Sequence, residues 1–138
     1  MLDLQRVTGW PERLITVVGD HRAQAFAWGK YDCATFFGDC VERITGLDVF
    51  AAYWPWRSER EAAEKLIASG YRDMEHFTAS LLPAIAPAMA RRGDVGFPAG
   101  RPRLSCPYVI MGAEAMSRDE RDWLVVPTAL LATTYRVG

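Results

Sequence analysis

Cys33 is the residue whose type and position offer the most reactive chemistry in this chain. It follows Asp32, a residue type favoured at the N-cap of a helix, and apolar residues recur after it at helical spacing. A cysteine in the first turn of a helix gains from the positive end of the helix, which stabilises a thiolate. A nucleophilic cysteine also needs a base within hydrogen-bond distance, usually a histidine. Two interpretations follow: Cys33 is a catalytic nucleophile, or it is a small buried residue at a helix start.

The other thiols and imidazoles are few. The chain has three cysteines and two histidines. Cys40 lies two helical turns after Cys33 on the same face, which predicts a core residue. The odd cysteine count and the absence of a C-x-x-C pair favour neither a disulfide framework nor a zinc site, so we expect no metal and no cofactor. His21 falls near the end of the first predicted helix, where a solvated side chain is expected, and His76 falls in the fourth.

Helical patterns fill the first two-thirds of the chain. Each predicted helix has a start signal, and glycines at 46 and 70 end the second and third. The third helix should bury a stripe that ends with Leu66 and Ile67. The start signals are Trp10-Pro11, Asp32, Ser58 with Glu61 as a capping box, and Asp73.

Short β-rich runs separated by Gly and Pro replace the helical patterns after Arg92. This segregation predicts a single α+β domain over 1–138, mainly helical in 1–92 and mainly strands in 93–138, with the helices packed on an antiparallel sheet. We expect 93–97 to pair with 104–112, and 122–127 to pair with 132–137.

The bulk composition excludes two classes of partner. The net charge is −1 and no run of Lys or Arg stands out, so we expect no nucleic-acid binding. No segment approaches the ~20 apolar residues of a membrane span, so we expect none. The N-terminus has no secretory signal pattern, which predicts folding in the cytoplasm with reduced thiols.

Three motifs, taken in order, resemble the NlpC/P60 (papain-like) peptidase family. The first is Asp32-Cys33-Ala34-Thr35-Phe36, which follows "FAWGKY". The second is Gly93-Asp94-Val95, and the third is "CPYVIMG", from Cys106 to Gly112. With the final "YRV", these motifs look still more like a related group of small phage and prophage proteins encoded among tail genes. The resemblance implies a papain-like α+β fold with Cys33 in the nucleophile position.

The chain departs from this family where the family places its catalytic base. Aligning "CPYVIMG" on the family's strand puts Cys106 at the position of the histidine. We therefore expect Cys33 to lack its base, which costs a factor of about 10²–10⁴ in rate. Cys106 could come near Cys33, as a second thiol or, in an oxidising setting, as a disulfide partner.

The resemblance implies a virion protein of the phage tail that is made in the host cytoplasm. The predicted function is a structural or adaptor role in distal tail assembly, within an oligomeric assembly of other tail proteins. The alternative is an active cysteine peptidase or amidase that cuts peptidoglycan stem peptides during genome delivery, with His76 as an atypical base.

The remaining site residues have structural or contact roles in this prediction. Asp32 and Asp94 should bind backbone amides. Gly93 and Cys106 should also have structural roles. The aromatic connector holding Tyr53, Trp54 and Trp56 is predicted to contact a partner, or alternatively to stack on a saccharide.

Overall fold

A computed structural model describes residues 2–102 and 105–138. In these ranges four helices precede a six-stranded antiparallel sheet, which confirms the predicted α+β class. The helices are α1 Trp10–Arg22, α2 Cys33–Thr45, α3 Glu59–Ala68 and α4 Met74–Leu81. The strands are β1 Ala84–Ile85, β2 Val95–Pro98, β3 Tyr108–Ile110, β4 Glu114–Arg118, β5 Trp123–Pro127 and β6 Leu131–Tyr135.

The helix starts follow the predicted caps. The side chains of Asp32, Ser58 and Asp73 each accept a hydrogen bond from the backbone N–H three residues further on. The reciprocal half of the predicted capping box is absent at Ser58, because the Glu61 carboxylate accepts from Arg57 N instead, at 2.6 Å. At the other end of α2, Gly46 adopts φ 88°, a left-handed conformation that suits glycine.

One predicted core position on α3 is wrong. Leu66 is buried, as expected, but Ile67 is exposed over 57% of its surface. With ten residues, α3 turns only one narrow stripe inward. The adjacent apolar residue therefore faces solvent, since neighbouring residues in a helix point about 100° apart.

The sheet order is β1-β6-β2-β3-β4-β5. The predicted pairing of 93–97 with 104–112 is confirmed as β2 with β3, with Val95 opposite Val109; position 104 itself lies outside the described residues. The predicted pairing of 122–127 with 132–137 is wrong. β5 pairs with β4, which the sequence pattern did not indicate, while β6 crosses over to lie between β1 and β2.

α2 is the central helix of the fold. It packs against α1 and also against β3 and β4. Phe36, Phe37, Val41 and Ile44 on α2 are fully buried in the main hydrophobic cluster, as is Cys40, whose predicted core position is confirmed. Because both faces of α2 are held, its first turn is fixed relative to the sheet.

Candidate functional site

Asp32 holds the start of α2 through both carboxylate oxygens. Its Oδ1 accepts from Thr35 N at 2.8 Å, and Thr35 Oγ1 accepts from Asp32 N at 2.9 Å, which completes a capping box. Its Oδ2 accepts from Gly29 N and from Trp56 Nε1, both at 2.7 Å. The side chain is fully buried, so these donors satisfy an otherwise costly buried carboxylate. The predicted capping role is confirmed, and two further bonds add to it.

Trp56 belongs to this anchor and not to an exposed contact surface, which corrects the sequence prediction. It is only 4% exposed, and its indole N–H is committed to Asp32. Its carbonyl oxygen packs against Gly29, where an added Cβ would lie 2.0 Å from that oxygen. Gly29 also has φ 77°, so both the close approach and the backbone conformation require glycine.

The two other aromatic residues of the connector differ from Trp56 and from each other. Tyr53 is half-buried, and its ring packs edge-on against Phe77 at 5.5 Å. Trp54 is 49% exposed and contacts the Trp56 ring edge-on at 5.2 Å. Of the three predicted partner-binding residues, Trp54 is the one that presents a large apolar surface to solvent.

Cys33 and Cys106 are brought together by the fold. Their Sγ atoms lie 2.7 Å apart, and both are free thiols. Cys33 is half-buried in the first turn of α2, while Cys106 is 4% exposed in the segment before β3. The hydrogen bond with Cys33 and burial raise the pKa of Cys106 well above its ordinary value, so this thiol holds its proton.

Arg118, at the end of β4, is a buried cation beside this thiol pair. Burial lowers its pKa, while negative charge on Asp32 and on Cys33 acts in the opposite direction. Its Nη1 and Nη2 donate to His21 O and Gln24 O, each at 3.2 Å, and its Nε has no hydrogen-bond partner within 2–102 and 105–138. Sequence reasoning missed Arg118 because β4 carries no alternating pattern, and an arginine in an unrecognised strand looks like a solvated residue.

Tyr108 flanks the pair from β3. Burial is the main cause that raises the pKa of its hydroxyl, and nearby Asp119 and Cys33 add to it. The tyrosine is therefore neutral at physiological pH.

Neither imidazole contacts Cys33 in the part of the chain that the structure describes. His76 Nδ1 accepts from Arg72 N at 3.1 Å, and its ring packs on Tyr71. His21 was expected to be solvated, and this prediction is wrong because the residue is only 2% exposed. Its Nε2 donates to Asp39 Oδ2 at 2.7 Å, where α1 crosses α2.

Gly93 and Asp94 form a separate structural anchor that joins both ends of the chain. Asp94 is fully buried and accepts from Arg6 Nη2 at 2.9 Å, Val137 N at 3.0 Å and Arg91 N at 2.9 Å. Burial lowers the pKa of Arg6, and the Asp94 carboxylate opposes that change. Gly93, with φ 92°, lets Arg6 lie against the backbone, since a Cβ there would be 2.9 Å from its guanidinium.

An open cleft of about 460 Å³ runs along one side of α2. Its lining includes the exposed Trp54 and the half-buried Phe50, together with the charged residues Lys30, Asp39, Glu42 and Asp48. Cys33 and Cys106 are not among its lining residues. The cleft and the thiol pair are therefore separate features.

Neither a metal centre nor a membrane helix is present in the described ranges. Among those residues, no group of three His, Cys, Asp or Glu side chains is placed to hold a metal ion. Within the same ranges, every helix is too short or too polar to span a bilayer.

These features define an α+β domain whose central helix is capped by a buried aspartate and carries one cysteine of a thiol pair in its first turn. Residues 5–137 match the model of a domain family of unknown function, DUF6950, and the chain belongs to that family. No curated protein matches the chain significantly.

Proposed function

We propose that this chain is a structural or adaptor protein of a phage or prophage tail, with an NlpC/P60-like fold that lacks peptidase activity. One observation carries the proposal. Cys106, which stands where the resembling family has its catalytic histidine, touches the nucleophile-like Cys33 at 2.7 Å. That contact supports the alignment of this chain on the family. It also means that a thiol stands where the family has its base.

The properties of Cys106 argue against catalysis by this pair. A general base must release its own proton below the working pH, whereas the hydrogen bond with Cys33 and burial raise the pKa of Cys106. His21 and His76 are engaged with Asp39 and Arg72. The cleft along α2 does not extend to Cys33, so a peptide bound there would not meet the thiol.

Trp54 supports an adaptor role. Large aromatic residues are enriched in protein–protein interfaces and often dominate the binding energy. Here an exposed tryptophan lines a cleft that carries both positive and negative side chains, which suits a specific protein surface. The proposed partners are other tail proteins in an oligomeric assembly, in the virion tail and, before assembly, in the host cytoplasm.

The test is complementation in the phage or prophage that encodes this chain, with the gene interrupted. We expect particles without functional tails, and full rescue by both the wild-type gene and Cys33→Ala. We expect Trp54→Asp to reduce the yield of tailed particles at least about tenfold, as for the loss of an interface hot spot of 1.4 kcal/mol or more. Ile67→Asp is the matched control, because Ile67 is at least as exposed as Trp54 but lies on α3.

Three outcomes would reject the proposal in different ways. Normal tails after interruption would exclude a role in tail assembly. Equal defects in Trp54→Asp and Ile67→Asp would exclude the Trp54 surface. Failure of Cys33→Ala to restore infectivity, together with release of stem peptides from peptidoglycan by the purified wild type, would favour the cysteine peptidase alternative.

A further inference from the structure

We propose that Cys33 and Cys106 form a redox-active dithiol, which a small-molecule disulfide of the glutathione type converts to an intramolecular disulfide. The site is distinct from the Trp54 surface and does not depend on the proposed tail function. It rests on the contact between the two sulfurs, their unequal exposure, and the buried cation beside them.

The two sulfur atoms need to move little to form a disulfide. The two Sγ atoms are already 2.7 Å apart, and a disulfide requires about 2.05 Å. The two residues come from distant parts of the chain, 73 positions apart, and are held by the packing of α2 on the sheet. Cys40 lies buried in the main hydrophobic cluster and is the natural internal control.

The two thiols differ in exposure, and this difference assigns them different roles in the exchange. Cys33 is half-buried, so a small disulfide can reach it, while Cys106 is 4% exposed and is shielded from direct attack. The raised pKa of Cys106 keeps it protonated until Cys33 has reacted. This arrangement gives one attacking and one resolving cysteine.

The positive charge of Arg118 interacts with Cys33. A thiolate at Cys33 and the guanidinium attract one another, as the effect of Cys33 on the pKa of Arg118 indicates. Arg118 is itself 7% exposed and fixed by two carbonyl bonds, so its charge stays at the site. The positive end of α2 acts in the same direction.

The reaction consists of two exchanges. The Cys33 thiolate attacks one sulfur of the oxidant, the oxidant's S–S bond breaks, and one thiolate leaves. Cys106 then attacks Cys33 Sγ, which breaks the mixed disulfide, and the departing thiolate takes up the Cys106 proton. The protein loses two electrons and two protons, and the oxidant is reduced to two thiols.

The test uses the purified Cys40→Ala chain, which retains only the two thiols of the pair, incubated with glutathione disulfide. We expect intact mass spectrometry to find a loss of about 2 Da and alkylation after unfolding to find no free thiol. In Cys40→Ala/Cys106→Ser the glutathione adduct should persist on Cys33. In Cys40→Ala/Cys33→Ser the mass should stay unchanged.

Two results would overturn the dithiol. One is a stable glutathione adduct on Cys33 in the Cys40→Ala chain with Cys106 still free. The other is no reaction at all, which would exclude attack by Cys33.

The role of Arg118 is tested by the rate of the first exchange. We expect Arg118→Gln to slow it about threefold to tenfold, while Arg118→Lys, which keeps the charge but alters the same hydrogen bonds, retains most of the rate. Arg60→Gln, which removes an exposed charge on α3, is the control and should leave the rate unchanged. Equal slowing by Gln and Lys at position 118 would assign the effect to packing and overturn the electrostatic role.

Discussion

Asp32 and Asp73 are both helix N-caps, but they accept different numbers of hydrogen bonds. Asp32 caps α2 and also accepts from Gly29 N and Trp56 Nε1, whereas Asp73 caps α4 through a bond from His76 N. Replacing each by Ala removes the cap in both cases. At Asp32 it also leaves two donors without their acceptor, one of them on a tryptophan that is almost fully buried.

The magnitudes follow from these contacts. Loss of an N-cap costs about 1 kcal/mol, which is the whole expected effect of Asp73→Ala. Each buried donor left unsatisfied adds about 1–3 kcal/mol, so Asp32→Ala should lower the free energy of unfolding by at least about 3 kcal/mol. That loss is a large part of the stability of an ordinary domain, about 5–15 kcal/mol in total.

Urea unfolding followed by circular dichroism measures both variants against the wild type. Asp32→Asn provides an intermediate case, because one amide oxygen can keep the Gly29 and Trp56 bonds while the cap bond is lost. We expect the order Asp32→Ala, Asp32→Asn, Asp73→Ala from most to least destabilised. Equal losses for Asp32→Ala and Asp73→Ala would refute the reasoning that the bonds to Gly29 and Trp56 stabilise this corner.

Two further predictions concern the sheet. Asp94→Ala should cost about 3–5 kcal/mol in urea unfolding because it leaves buried Arg6 without its counter-ion, and adding Arg6→Met should recover part of that loss; strictly additive losses would contradict the coupling. Burial and the acceptor Glu75 raise the pKa of Tyr135 from 10 to about 12, so its contribution to stability is fully present below pH 10 and is lost as the pH rises towards 12. Unfolding free energies measured across that range should fall more steeply for the wild type than for Tyr135→Phe, and parallel curves would count against this assignment.

The helical half of the fold was predictable because its signals are local. A cap such as Asp32 or Asp73 bonds to a backbone group three residues away, so the sequence contains both partners within one turn. The same locality explains the limits of the prediction. His21 is buried by Asp39 and by the Phe36 ring, both from the following helix, and nothing within its own helix indicates that contact.

The sheet and the site depended on contacts between distant segments. β4 reads Glu-Ala-Met-Ser-Arg and buries its last four residues, including a serine and an arginine, so it lacks the alternation that marks a half-buried strand. Without β4 the sequence left β5 and β6 as neighbours. Trp56 was assigned to the surface because an aromatic connector gives no sign of the buried carboxylate 24 positions earlier that binds its indole.

The place of β6 in the sheet has a consequence for synthesis of the chain on the ribosome. β6 lies between β1 and β2, and Val137 bonds to Asp94, so β6 joins strands that were made about forty residues earlier. Until residue 135 leaves the exit tunnel, β2 presents an open edge of backbone donors and acceptors on that side. The nascent chain therefore cannot complete this sheet until β6 is free to fold, and a stalled or truncated copy that lacks β6 would expose an edge that pairs readily with another strand.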